Sequence, residues 1–453
     1  MMFMKSLLAA SLAAIVSGQV LAEISPAEAA KLGNELTLVG AEKSGNADGS
    51  IPAYEGGLTT APAGFKNGDA FRPDPFAGEK PVLVIDGSNV EQYKDKLTAV
   101  TAELAKRFPS FKVNVYPTHR SVSLPQGVLD NTVKNAVNAK SLEGGNAIEN
   151  VLPGVPFPIP RSGAEAMWNH LLRYQGVNTA SKFDSWNVDS AGVATLATTG
   201  KGFINYASYN DLNKPVQGSD TIYQIKLYYT GPARRAGEAT LLRDAANPLE
   251  QPRRAWSYLP GVRRVKMAPD LAYDTPNPST SGAAAYDDSF VFAGALDRFD
   301  WKLVGKQEMY VPYNTYKAWS ADPKLANTPK HLNPDILRWE LHRMWVVEAT
   351  LKPGERHVQK VKRFLIDEDS WAILAYHSLD QAGKVHHLMY QLSVQQYEKP
   401  AYRNGHYVLY DMTKGVYGNG SLMAAPGMTG FYQVDPFPGN YFTSGSMAGS
   451  GIR

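Results

Sequence analysis

The chain has no cysteine. Disulfides, thiolate metal sites, cysteine nucleophiles and an acylated N-terminal cysteine are all excluded, so stability has to come from packing. Charge is scarce as well. Charged residues make up 20% of the 453, below the usual quarter, and 46 Lys and Arg face 43 Asp and Glu, a net of +3. A balance this close provides no broad polycation for phosphates, and no nucleic-acid partner is expected. Past the N-terminal stretch no apolar run is long enough to cross a bilayer. The chain also lacks a Gly-rich dinucleotide loop after a strand, a phosphate-loop lysine motif, His-Glu-x-x-His and a Gly-x-Ser-x-Gly elbow. No enzyme activity, no catalytic residue, no cofactor and no metal site is therefore expected.

Aromatics are plentiful: 24 Tyr, 16 Phe and 8 Trp stand within a 43% hydrophobic composition that makes the chain globular rather than disordered. The N-terminus has a basic Lys5, an apolar stretch from Leu7 to Val20 and the small-residue pattern Val20-Leu21-Ala22. That is the layout of a cleaved export signal over residues 1–22, and it predicts a soluble periplasmic protein.

Residues 23–80 mix Gly, Pro, Asn and Asp with Tyr54, Phe65, Phe71 and Phe76, and are expected to form an extended arm. Residues 81–453 read as one domain. It opens with a strand at 81–85, a helix from Asn89 to Phe108, a strand at 111–116 and a helix at 128–139. Ser162 and Glu165 have capping-box spacing ahead of a short helix. From about residue 184 the apolar period changes to two. Strands are predicted at 186–198, 202–209, 221–229, 301–310, 339–352, 355–366, 371–379, 384–397 and 406–412. Short turns such as Lys352-Pro353-Gly354-Glu355 favour antiparallel neighbours. The fold class is α+β: a large curved antiparallel sheet forming an incomplete barrel, with N-terminal helices covering or plugging its apolar face. The Gly- and Ser-rich C-terminus is expected to fray.

One sheet face is expected to carry Trp339, Leu341, Arg343, Trp345 and Val347, continued by Phe364 and Ile366 and then Trp371, Ile373, Ala375, His377 and Leu379. Such a face is either an ordinary core or the wall of a greasy cavity. Arg234-Arg235, Arg253-Arg254 and Arg263-Arg264 fall close together, beside Tyr223, Tyr228, Tyr229, Trp256 and Tyr258. They are either salt-bridged strand ends or a rim for a polar headgroup. The expected ligand-binding set is Tyr223, Tyr228, Arg254, Trp256, Tyr258, Arg263, Arg264, Trp339, Trp345, Trp371 and His377. His386-His387 is set aside as a metal pair, because adjacent side chains on a strand point to opposite faces.

The hairpin Trp256-Ser257-Tyr258-Leu259-Pro260-Gly261-Val262-Arg263-Arg264-Val265 resembles the exported bacterial family called domain of unknown function 1329. The likeness takes in the Gly40–Gly57 segment and the Trp339–Met412 meander. It implies a fold similar to periplasmic lipoprotein carriers, and a setting beside a resistance-nodulation-division type inner-membrane pump and an outer-membrane protein. The expected function is periplasmic binding or carriage of a lipid or other hydrophobic molecule between membranes. The alternative is a structural adaptor docking envelope transport proteins.

Overall fold

Alternating apolar residues and short polar turns produce long strands over the C-terminal half. The computed structural model describes residues 24–66, 71–422 and 431–448, so the expected leader and Gly427–Gly430 lie outside the described residues. In chain order the first half contains α1 (Pro26–Ala29), β1 (Leu83–Ile85), α2 (Ala99–Arg107), β2 (Val113–Val115), α3 (Gln126–Asn138), β3 (Lys140–Leu142), β4 (Ala147–Glu149), α4 (Gly163–Leu172), β5 (Asn178–Val188) and β6 (Ala194–Asn205). Next come β7 (Thr221–Gly231), β8 (Ala239–Ala245), β9 (Arg254–Leu259), β10 (Arg264–Met267) and β11 (Phe299–Pro312). The rest comprises α5 (Tyr316–Trp319), α6 (Pro323–Ala326), β12 (Trp339–Leu351), β13 (Gln359–Asp367), β14 (Ile373–Asp380), β15 (Val385–Gln396), β16 (Ala401–Asp411), β17 (Val416–Leu422) and β18 (Phe431–Gln433).

Sixteen strands make one open sheet in the order β1-β2-β12-β13-β14-β15-β16-β17-β5-β6-β7-β8-β9-β10, with β11 also on β12 and β18 also on β5. Its pairings are antiparallel except a parallel bridge of β2 to β12 at Val115 and Trp339. The β12–β17 meander joins the middle strands through β17 and β5, where Tyr417 faces Val188.

Over β12–β16 both faces of this sheet are buried. Val347, Phe364, Tyr376, Met389 and Leu409 align across β12–β16 and pack on Ala166, Met167 and Trp168 of α4. Ile222 of β7 joins the same cluster, so the sheet bends around α4 as a plug. The alternate residues Val346, Leu365, Ala375, Tyr390 and Val408 pack on Val100, Leu104 and Ala105 of α2 on the other face. The internal helix is therefore α4, while α2 covers the outside.

Local signals explain the departures from expectation. The 89–108 helix is broken because Leu97 is extended and Thr98 caps a fresh start, its Oγ1 accepting from Thr101 N at 3.0 Å. Ser162 does cap α4, accepting from Glu165 N at 3.2 Å, but Glu165 accepts from Arg161 N at 2.6 Å rather than closing the box on Ser162. The C-terminal stretch does not fray up to residue 448. Phe442 and Met447 are buried against Leu241 and Tyr258, and Lys226 Nζ donates to Tyr441 O at 2.9 Å and to Ser446 Oγ at 2.8 Å.

Candidate functional site

Along β7 the residues Tyr223, Ile225, Leu227 and Tyr229 point to the inner side of the sheet. Phe183 of β5, Ile204 of β6, Leu242 of β8 and Tyr407 of β16 complete an apolar wall, and Ala284, Tyr286 and Phe290 close it from above. The remaining space is about 110 Å³. Drug-sized sites run to roughly 300–1,000 Å³, so this one takes a small apolar group unless the covering segment withdraws. Burial pushes the Tyr223 phenol well above its ordinary range, so it stays neutral. Phe290 (φ 53°) and Val291 (φ 74°) are both left-handed in the covering segment, costing about 1–2 kcal/mol for each such residue.

The expected site residues do not converge. Of that set Tyr223 lines the pocket. Tyr228 faces the opposite side and meets Phe203 at 6.0 Å between centroids. Trp256 and Tyr258 join Tyr228 in the cluster that receives the C-terminal segment. Arg254 pairs across β8 and β9 with Arg243. Arg263 and Arg264 are exposed at the β9–β10 turn, Arg263 being left-handed at φ 49°. The arginine that does reach the pocket is Arg253, held by Asp244 at 2.6 and 2.7 Å. That pairing satisfies its charge within the protein, while Arg235 of the Arg234-Arg235 pair lies over the ring of the pocket-lining Tyr229 at 3.9 Å.

Trp339, Trp345, Trp371 and His377 lie on the distant β12–β14 half. Trp345 stacks on Trp371 at 6.1 Å, Trp371 Nε1 donates to Val39 O at 2.9 Å, and Trp339 meets Tyr390 at 5.0 Å. An irregular register takes Ile366 opposite Ile373 but Leu365 opposite Ala375, so one residue of β14 is extra. Ile373 consequently shares the α4 face with Trp371, whereas Ala375 and His377 turn to the other face. The single in-phase wall expected over 371–379 is thereby broken. Burial and then Arg363 push the half-buried His377 down to about 4, leaving it neutral.

Sequence reasoning missed a buried charge network beside these tryptophans. Arg120 grips Asp369 through Nε at 2.9 Å and Nη2 at 2.6 Å, and approaches Glu368 at 3.4 Å. Arg343 and Lys306 reach Glu368 at 3.2 and 2.7 Å, and Lys306 also meets Glu42 of the N-terminal arm at 3.1 Å. Asp367 is fully buried; its Oδ2 accepts from Tyr313 Oη at 3.1 Å and Ser370 N at 3.0 Å, while Oδ1 has no hydrogen-bond partner. Burial, reinforced by the Asp369 charge, pushes Asp367 up to about 6. In sequence the Asp367-Glu368-Asp369 run after β13 has the composition of an ordinary polar turn, and nothing local distinguishes it from a solvated one.

The model for the protein of unknown function DUF1329 matches residues 84–448, and the chain belongs to that family. It is 41% identical over 406 residues to the uncharacterized protein PA3922 of Pseudomonas aeruginosa, covering 89% of each chain. Among solved structures it is similar to a domain assigned to outer-membrane lipoprotein sorting in Vibrio parahaemolyticus, at TM-score 0.42 and 11% identity, covering 60% of this chain and 92% of that one. A DUF1329 family protein of Desulfovibrio piger gives TM-score 0.40 and 12% identity with the same coverage.

Proposed function

We propose that this member of the DUF1329 family is a non-catalytic periplasmic adaptor that docks envelope proteins through the β9–β10 hairpin. The observation that carries the reading is a contrast between a filled interior and an open edge. The aromatic sheet is packed on both faces by the protein's own side chains, whereas β10 has β9 as its only strand partner among the described residues. Around that edge Leu259, Val262 and Met267 are 42%, 53% and 63% exposed, flanked by exposed Arg263, Arg264 and Lys266. An unpaired strand with apolar and basic side chains fits a partner that adds an extended, acid-flanked segment to it. An inner-membrane pump of the resistance-nodulation-division type is the first partner to test, with an outer-membrane protein second. A photoreactive side chain at Val262, in cells that make the protein, is expected to give one adduct of defined mass that Arg263→Glu with Arg264→Glu abolishes. No adduct from position 262 or 267, or an adduct indifferent to the charge reversal, would refute the docking surface.

The second reading is carriage of a lipid or other hydrophobic molecule, favoured by the apolar lining under residues 284–290. An acyl chain entering there would gain about 0.8 kcal/mol per buried methylene, against the cost of moving the cover. Native mass measurement separates the readings. A lipid retained at one per chain and expelled by Leu242→Trp establishes carriage, while a protein that is lipid-free as purified and unresponsive to envelope lipid extract leaves docking alone.

A further inference from the structure

His386 and His387 are adjacent on β15, and regular alternation would place them on opposite faces. The pairing of β15 with β14 is not regular here: His377 faces Leu388, but Leu379 faces Val385. Two residues, His386 and His387, therefore oppose the single Ser378, which is a β-bulge on β15. The bulge brings both imidazoles together, their centroids 3.9 Å apart and their planes within 21°. Directly across the next ladder His387 faces Asp411, the last residue of β16. One ligand atom from each of the three lies within 4.8 Å of the others.

We propose that His386, His387 and Asp411 bind a single borderline divalent cation of the Zn²⁺ class, with the remaining position open to water. Two imidazoles and one carboxylate form a nitrogen-rich donor set that suits zinc and its neighbours over calcium or magnesium. Tetrahedral ligands about 2.0–2.1 Å from zinc stand roughly 3.3 Å from one another. His387 Nε2 and Asp411 Oδ2 are 3.8 Å apart, so closure takes a side-chain adjustment of a few tenths of an ångström.

The surrounding hydrogen bonds leave these donors available. Asp411 Oδ1 is engaged by Thr413 N at 3.0 Å and Lys414 N at 2.9 Å, which fixes the carboxylate and turns Oδ2 toward the histidines. His386 Nδ1 is buried without a hydrogen-bond partner. Gln359 Nε2 lies 3.1 Å from His387 Nδ1 and donates to Tyr376 Oη at the longer distance of 3.3 Å, while its own Oε1 is buried and unpartnered. Turning the Gln359 amide over would let Oε1 accept from a protonated Nδ1 and free Nε2 to ligate, the outer-shell arrangement that metal-bound histidines adopt. Lys414 Nζ, 3.1 Å from Asp411 Oδ2, now holds the cation's place on a side chain that is 67% exposed and can withdraw into water. The other grouping of this kind among the described residues, His342, Asp367 and Asp369, is closed, because Arg120 grips Asp369 and Glu340 Oε2 takes His342 Nε2 at 3.1 Å.

The test is a titration of the purified full chain with Zn²⁺ against a chromophoric chelator, with Co²⁺ absorption as a second readout. One ion per chain is expected, and His386→Gln and Asp411→Asn should each weaken binding by about tenfold or more. Asn at 411 retains the oxygen that caps Thr413 and Lys414, and position 386 is half-buried, so both variants should keep the wild-type circular dichroism. Lys414→Met removes the competing cation and should tighten binding several-fold, an effect that loss of folding would not produce. Wild-type protein that takes up no stoichiometric Zn²⁺, or variants that bind as wild type does, would overturn the site.

Discussion

Replacing Asp367 by Asn should stabilise the protein, and increasingly so as the pH rises. Asp367 is fully buried and its ionisation is pushed from the ordinary 3.8 up to about 6, by burial first and then by Asp369. A carboxyl whose folded pKa lies above its unfolded one holds a proton in the folded state that the unfolded chain has released. Below about pH 4 both states are protonated and the group costs nothing. Between pH 4 and 6 stability falls with rising pH, and above 6 the whole cost of burying the anion is present. A rise of about two units, at 1.36 kcal/mol each, sets that cost on the order of 3 kcal/mol. Asn reproduces the neutral form: its oxygen can accept from Tyr313 Oη and Ser370 N, and its amide points where Oδ1 now has no partner. Urea unfolding of wild type and Asp367→Asn at pH 4, 5, 6, 7 and 8 should give equal stabilities at pH 4 and a gap widening to about 3 kcal/mol by pH 7. Parallel curves across the range, or a variant less stable at pH 8, would refute the reasoning.

Removing the opposite charge should do the reverse. Arg120→Met leaves Asp369 buried without the cation that grips it and should cost about 3–5 kcal/mol by denaturant melts, with faster proteolysis of the N-terminal arm whose Lys43 and Pro52 carbonyls Arg120 also reaches. Gly40→Ala should be destabilising by more than about 2 kcal/mol in the same assay, because residue 40 is left-handed at φ 89° and an added Cβ would collide with the Pro158 carbonyl. A Gly49→Ala control, left-handed at φ 74° but with open space around it, separates the backbone cost from the collision.

The strands of the meander were legible because each alternates apolar and polar residues and ends at a turn such as Pro353-Gly354. The α4 start was legible because Ser162 has the side chain an N-cap needs. What misled was the assumption of unbroken alternation. A bulge adds one residue without altering composition, and two of them moved Ala375 and His377 off the expected face and drew His386 and His387 together. The same ambiguity touched the arginines, since a pair such as Arg253-Arg254 reads alike whether it faces a ligand or, as with Arg253, an aspartate nine residues away.

By itself the sequence determined that this is an aromatic-rich antiparallel α+β protein without thiol chemistry, since composition and two-residue period act over a few neighbouring residues. Tertiary structure alone decided that the hollow would be filled by α4, that β17 would join β5, and that the C-terminal aromatics would dock on β8 and β9. Those outcomes rest on contacts between residues far apart in the chain, whose energies depend on shape and burial that no local pattern encodes.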